Sequence, residues 1–251
     1  MNPQISRCAV KPVSLALLAL LASLGATSAF TADVTTIAGT GVGDFSGDGG
    51  LATAARLNSP HGMAVAADGT VYFADTDNYR VRRINTNGVI ATIAGNGTFG
   101  DDGDNGQATS ASLSGLLSVA LSPAGNILYI SDIDNNRVRQ VDLGSGVITN
   151  FAGLGLAGFG FDGDGGPATS ASLALPEGVA VDASGNVYIG DLFNCVVRRV
   201  AAITNIITTV AGMPGLCSPS GDGGDALAAQ FSVPRRMALD PAGNLFVLDS
   251  G

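Results

Sequence analysis

Gly62-Met-Ala-Val-Ala-Ala-Asp-Gly-Thr-Val-Tyr-Phe-Ala-Asp75, followed after a short turn by Arg80-Val-Arg-Arg-Ile-Asn-Thr-Asn-Gly-Val-Ile-Ala-Thr-Ile-Ala94, decides the fold. It contains four short strand signals, at Gly62–Ala66, Val71–Ala74, Arg80–Ile84 and Val89–Ala94. Asp68-Gly69, Asp77-Asn78 and Asn87-Gly88 separate them, and these are hairpin-turn residues. Links this short join antiparallel neighbours; a parallel pair needs a crossover of a dozen residues or more.

The unit recurs. Thr36-Ile-Ala-Gly39 returns as Thr92-Ile-Ala-Gly95, Asn150-Phe-Ala-Gly153 and Thr209-Val-Ala-Gly212. Gly47-Asp-Gly-Gly50 returns as Gly103-Asp-Asn-Gly106, Gly163-Asp-Gly-Gly166 and Gly221-Asp-Gly-Gly224. The aspartates of this loop, Asp48, Asp104, Asp164 and Asp222, lie 56, 60 and 58 residues apart. A fixed period of four-stranded units predicts an all-β propeller of antiparallel blades, four repeats with the last incomplete. The extra length per unit is the Gly/Asp loop and then Ala52–Leu57, Ala108–Leu113, Ala168–Leu173 or Ala226–Phe231, each room for one or two helical turns on the crossover between blades.

The third unit, Pro176-Glu-Gly-Val-Ala-Val-Asp-Ala-Ser-Gly-Asn-Val-Tyr-Ile-Gly-Asp191 with Asn194 and Val197-Arg-Arg-Val200, resembles an NHL repeat. Its Gly-Asp-Gly-Gly-Pro-Ala insertion is similar to the long NHL repeats of secreted bacterial proteins and of the teneurin propeller. The resemblance covers residues 33–251 and implies an NHL-repeat β-propeller. It implies little about function, since one propeller fold hosts many. NHL propellers usually have about six blades, so the resemblance implies that further blades follow residue 251. The last unit supplies an inner strand (Met237–Asp240) and a second (Leu245–Leu248), then stops before its arginine-rich strand. Residues 33–39 match an outer strand, of the kind that closes a propeller ring.

Residues 1–29 read as a secretory signal: Arg7 and Lys11, an apolar run from Val13 to Leu24, and small residues Thr27-Ser28-Ala29 before the cut. The expected location is therefore secreted or periplasmic, with no membrane span in the mature chain. Cys195 and Cys217 remain after processing, and two cysteines in an oxidising compartment suggest a disulfide; two free thiols are the alternative.

Composition narrows the chemistry. Formal charge is -9, with 20 Asp, one Glu (Glu177) and one Lys (Lys11), so nucleic acid is excluded as a partner. His61 is the only histidine, which removes every site needing two or three His ligands. Related propeller lyases use several His on a metal, and gluconolactonase-like propellers a Glu with Asn and Asp around a divalent ion. His61, Leu117 and Arg235, in register with Glu177, are not that set. The Asp-rich loops could offer oxygens to Ca²⁺, but turn chemistry alone accounts for Asp and Gly there. No cofactor or metal site is expected.

Residues repeated in register read as structural. They are Asp75, Asp132, Asp191 and Asp249; Asn78, Asn135 and Asn194; and Arg82, Arg139 and Arg198, each arginine expected to pair with an acid between blades. Residues that vary at one position of the repeat are the better binding candidates. Pro60-His61, Leu116-Leu117, Pro176-Glu177 and Pro234-Arg235 all precede the inner strand and should ring one mouth of the channel. His61, Glu177 and Arg235 are the expected ligand-binding residues, with no catalytic residue. The function read from this is a non-catalytic binding or scaffold module for a protein or carbohydrate partner. The alternatives are a metal-dependent lactonase- or lyase-like propeller and the sensor part of a larger protein.

Overall fold

In the computed structural model, three of the repeats fold as four-stranded antiparallel sheets and the fourth as a hairpin. The structure describes residues 33–251, so the expected leader at 1–29 lies outside the described residues. Blade 1 is β1 (Pro60–Val65), β2 (Val71–Asp75), β3 (Arg80–Ile84) and β4 (Ile90–Ala94). Blade 2 is β5 (Leu116–Leu121), β6 (Ile127–Asp132), β7 (Arg137–Asp142) and β8 (Ile148–Ala152). Blade 3 is β9 (Pro176–Val181), β10 (Val187–Asp191), β11 (Val196–Val200) and β12 (Ile207–Ala211), and blade 4 is β13 (Pro234–Leu239) and β14 (Leu245–Asp249). Each sheet runs in sequence order, and the inner strands β1, β5, β9 and β13 lie side by side. No helix among the described residues is long and apolar enough to cross a membrane.

The turns form for local reasons. The Asp68 carboxylate accepts the Thr70 N–H at 2.9 Å and the Thr70 hydroxyl at 3.0 Å while Gly69 supplies φ of 91°. Asp182 and Asp240 build the same turn in blades 3 and 4. The second link is a 3₁₀ turn, closed by a left-handed residue at Tyr79, Asn136 and Cys195.

Blades pack face to face. Between blades 1 and 2, Tyr72, Ala74 and Ala94 meet Leu113, Val119, Leu128, Ile130 and Ile148. Between blades 2 and 3, Ala120, Tyr129 and Ala152 meet Leu173, Val179, Val187, Ile189 and Ile207. Small residues on the leaving face let the branched residues of the next blade come close, and each fully buried Leu or Ile stabilises by roughly 1.5–3 kcal/mol.

Four details differ from the sequence reading. Residues 33–39 form no strand, because no neighbouring strand offers them a ladder; Ala38 instead packs with Leu57 and Phe73. Each inner strand begins about two residues earlier than expected, through a bulge. Pro60 pairs with Asp75 and Met63 with Phe73, so His61 and Gly62 together face Ala74. The same slip recurs between Leu116 and Val119, between Pro176 and Val179 (opposite Ile189 to Asp191), and between Pro234 and Arg236. The crossover stretches make one 3₁₀ turn each in the first three repeats (Ala52–Ala54, Ala108–Ser110, Ala168–Ser170) and none at Ala226–Phe231. Finally, the arginines pair within blades rather than between them. The Gly-Asp-Gly-Gly loop folds back on the outer strand of its own blade, with the Gly49 N–H on Ile90 O at 2.8 Å and the Ile90 N–H on Gly50 O at 3.0 Å.

Candidate functional site

The repeated polar residues form one cage in each of blades 1 to 3. In blade 1 the fully buried Arg82 donates to Asp75 at 2.9 Å and to Asp48 at 2.7 Å. Arg139 takes Asp104 at 2.8 Å and lies 3.8 Å from Asp132; Arg198 takes Asp164 at 2.5 Å and lies 3.8 Å from Asp191. The same guanidinium groups hold the carbonyls of Ser46, Asp102 and Asp162. Asn78, Asn135 and Asn194 each donate to the buried aspartate and to the loop carbonyl of Asp44, Gly100 or Gly160. Asp75, Asp132, Asp191 and Asp249 accept backbone N–H groups just before the inner strand, from Asn58, Ser114, Ala174 and Ser232. Phe45 and Phe161 lie against the guanidinium groups of Arg82 and Arg198, 4.8 and 4.9 Å from ring centre.

The cage explains the loop sequence. The first Gly has positive φ and lies against an alanine, where a Cβ would meet the Cα of Ala55, Ala111, Ala171 or Ala229 at 2.6–2.8 Å. The Asp reaches the arginine. The third residue is left-handed in open space, so Asn105 (φ 66°) stands in for Gly in blade 2.

Burial pushes the Asp132 carboxyl up to about 6 and Asp191 up to about 7, against the N–H donors and the nearby arginines. Asp132 Oδ2 has no hydrogen-bond partner, in keeping with that direction.

The residues that vary are placed otherwise. His61, Leu117, Glu177 and Arg235 each occupy the first bulge position of an inner strand, at the same end of the four strands. A bulge re-aims its side chain, and these four leave the ladder there. Glu177 is 5% exposed and meets the exposed Arg235 at 3.5 Å, so two of the three expected residues come together across the blade 3–4 seam. His61 is exposed and held in the blade 1–2 seam instead: Nδ1 lies 2.8 Å from Ser59 O and 3.0 Å from Thr76 Oγ1, which itself donates to Leu116 O. Among the described residues no hydrogen bond or ion pair links His61 to the Glu177–Arg235 pair. Cys195 and Cys217 are bonded, with Cα atoms 5.4 Å apart.

One residue escaped the sequence reading. Arg236 takes the second bulge position, held elsewhere by Gly62, Ser118 and Gly178. Its Nη1 reaches across to β1, 3.1 Å from where a Cβ on Gly62 would sit. A single bulky side chain in a row of small ones was the available signal.

Comparison with known proteins agrees with the repeat. The sequence profile of the Teneurin NHL domain matches residues 24–101. Teneurin-1 of Mus musculus is 32% identical over 227 residues, which cover 82% of this chain and 8% of that protein. The chain therefore spans a small fraction of such relatives. Among solved structures, an auxiliary nutrient binding protein from Bacteroides ovatus superposes with a TM-score of 0.57 at 16% identity, over 78% of this chain and 46% of that one. A streptogramin B lyase gives 0.50 at 13% identity, over 76% and 48%. At these identities the likeness is of fold.

Proposed function

The chain carries an NHL-repeat domain similar to that of the teneurins, and on that premise we propose that it is a binding module for a protein or glycan partner, without a catalytic site of its own. One observation carries this reading. The side chains repeated through blades 1 to 3 are consumed by the cages, while side chains that differ between repeats, His61, Glu177 and Arg235 among them, sit at one end of the inner strands. Variation on a rigid frame suits recognition. The Cys195–Cys217 bond supports a secreted or periplasmic location, since such bonds persist in oxidising compartments. The charge of -9 favours partners other than nucleic acid.

The test pairs binding with turnover. On arrays of extracellular proteins and glycans, the wild-type chain retains a partner, and Glu177→Gln with Arg235→Ala weakens it at least tenfold. Lactone hydrolysis with added Ca²⁺ or Zn²⁺ stays at background. Turnover that disappears in Glu177→Gln would overturn the proposal in favour of a propeller enzyme.

A further inference from the structure

We propose that Asn96 is a self-modification site: its folded loop converts the side-chain amide to an aspartyl or isoaspartyl carboxylate, with the Gly97 backbone nitrogen as nucleophile and Arg80 as its activator. The loop links β4 to β5, between two complete blades, and the inference does not depend on the binding reading.

The chain has three Asn-Gly steps, at Asn87, Asn96 and Asn105. Glycine after asparagine brings no Cβ to obstruct attack of its own nitrogen on the side-chain carbonyl. All three asparagines are exposed, so exposure does not separate them. The nucleophile does. The Gly88 N–H donates to Asn85 O at 2.9 Å and the Gly106 N–H to Gly103 O at 3.1 Å, which commits both nitrogens to turns. Among the described residues the Gly97 N–H has no such acceptor, and the side chains of Asn87 and Asn105 make no hydrogen bond, whereas both polar atoms of the Asn96 side chain do.

The surroundings activate both partners. Arg80 Nη2 donates to Asn96 O at 2.7 Å. That carbonyl shares a peptide unit with the Gly97 nitrogen, so the charged donor draws electrons from it and makes its N–H more acidic. The guanidinium also packs on Gly97, where a Cβ would run into it, and a cation so close favours the amide anion. On the other partner, the Thr98 N–H donates to Asn96 Oδ1 at 2.7 Å. Attack on Cγ builds negative charge on that oxygen, and a donor already in place stabilises it. Asn96 Nδ2 donates to Ser110 O at 3.1 Å, so the side chain is held on the loop that carries its nucleophile.

The step balances without an oxidant or a metal. Hydroxide takes the Gly97 proton, the nitrogen bonds to Asn96 Cγ, and the Cγ–Nδ2 bond breaks. Nδ2 leaves as ammonia with a proton from water. Water then opens the succinimide at either carbonyl, giving aspartate or isoaspartate. The product carboxylate lies beside Arg80, which among the described residues donates to carbonyls alone, Asn78 O at 3.1 Å and Asn96 O.

The experiment ages the oxidised full chain in mildly alkaline buffer and follows each Asn-Gly peptide by mass spectrometry, with isoaspartate detected by enzymatic methylation. Asn96 is expected to lose its amide at least tenfold faster than Asn87 and Asn105. In the reduced chain in concentrated urea the three rates should converge, since only local sequence then distinguishes them. Arg80→Gln should slow Asn96 at least fivefold and leave Asn87 unchanged, whereas a loop that reacts through mobility alone would speed up when loosened this way. Comparable rates at the three sites of the folded chain, or a difference that survives urea, would overturn the inference. So would a folded Arg80→Gln chain that reacts at the wild-type rate or above it. The wild-type comparison decides by itself if Arg80→Gln does not fold.

Discussion

A Cβ at Gly163 would meet Ala171 Cα at 2.7 Å, and Gly163 has φ of 84°. Gly163→Ala therefore combines a left-handed alanine with a backbone clash, and should cost about 2 kcal/mol or more in chemical denaturation. Gly165→Asn, two residues on, should cost under about 1 kcal/mol, since Asn105 already occupies that place in blade 2. The buried carboxyls set a pH dependence at the same scale. Asp132 and Asp191 hold a proton more tightly folded than unfolded, at about 6 and about 7, because burial disfavours their charge. Their contribution is full below about pH 4 and is lost as pH rises through 6 to 7. Asp68 and Asp142 run the other way: backbone donors from Thr70 and Ser145 hold their carboxyls low, so that contribution is lost as pH falls below 4. Thermal scans from pH 3 to 8 should peak in mildly acidic buffer. Asp191→Asn should flatten the decline between pH 5 and 7; an unchanged slope would show that Asp191 does not titrate there.

At the scale of strand and loop, the cage predicts which residues hold a blade together. Arg198→Met strands Asp191 and Asp164 and should cost roughly 3–5 kcal/mol by urea denaturation. Arg199→Met, on the other face of β11, should cost far less. Position in the array matters as much as residue type. Met63 on β1 is 65% exposed, whereas its equivalents Val119 and Val179 are 4% and 5% exposed. Lysine at 63 should leave the midpoint nearly unchanged, while lysine at 119 or 179 should unfold the blade seam. The sequence made the strands legible because alternation and Asp/Gly turns are local signals. It made the Cys195–Cys217 pairing legible because only two cysteines follow residue 29. The bulges were not legible, since they depend on an inner strand being pulled toward its neighbour. Nor were the arginine partners: Asp48 and Arg82 lie 34 residues apart, and only the fold-back of the Gly-Asp-Gly-Gly loop brings them together. At the start of the inner strands, the variable position was readable from comparing the repeats, whereas the division into a Glu177–Arg235 pair and a separate His61 was set by which seam each bulge faces.

Along the array, each blade packs its sheet faces on its sequence neighbours, so stability should be graded along the chain. Blades 2 and 3 are packed on both faces. Among the described residues blade 4 shows two strands, and its residues Phe246 and Leu248 are 54% and 57% exposed. Hydrogen exchange should be slowest in β6, β7, β10 and β11 and fastest in β14. Uniform protection across all four blades would mean that the array opens as one cooperative unit.

The Cys195–Cys217 bond starts at the first residue before β11 and ends in the loop that leads to blade 4, 22 residues later. If the chain is pulled by its ends, force cannot pass along β11 and β12 in series, because the covalent bridge carries it past them. Those two strands are shielded from tension until the bond is reduced. In a single-molecule extension trace, reductant should release roughly 75 Å of hidden contour from the 22-residue loop. The bridge is therefore a mechanical bypass, which keeps half of blade 3 folded under load and holds blade 4 close to it.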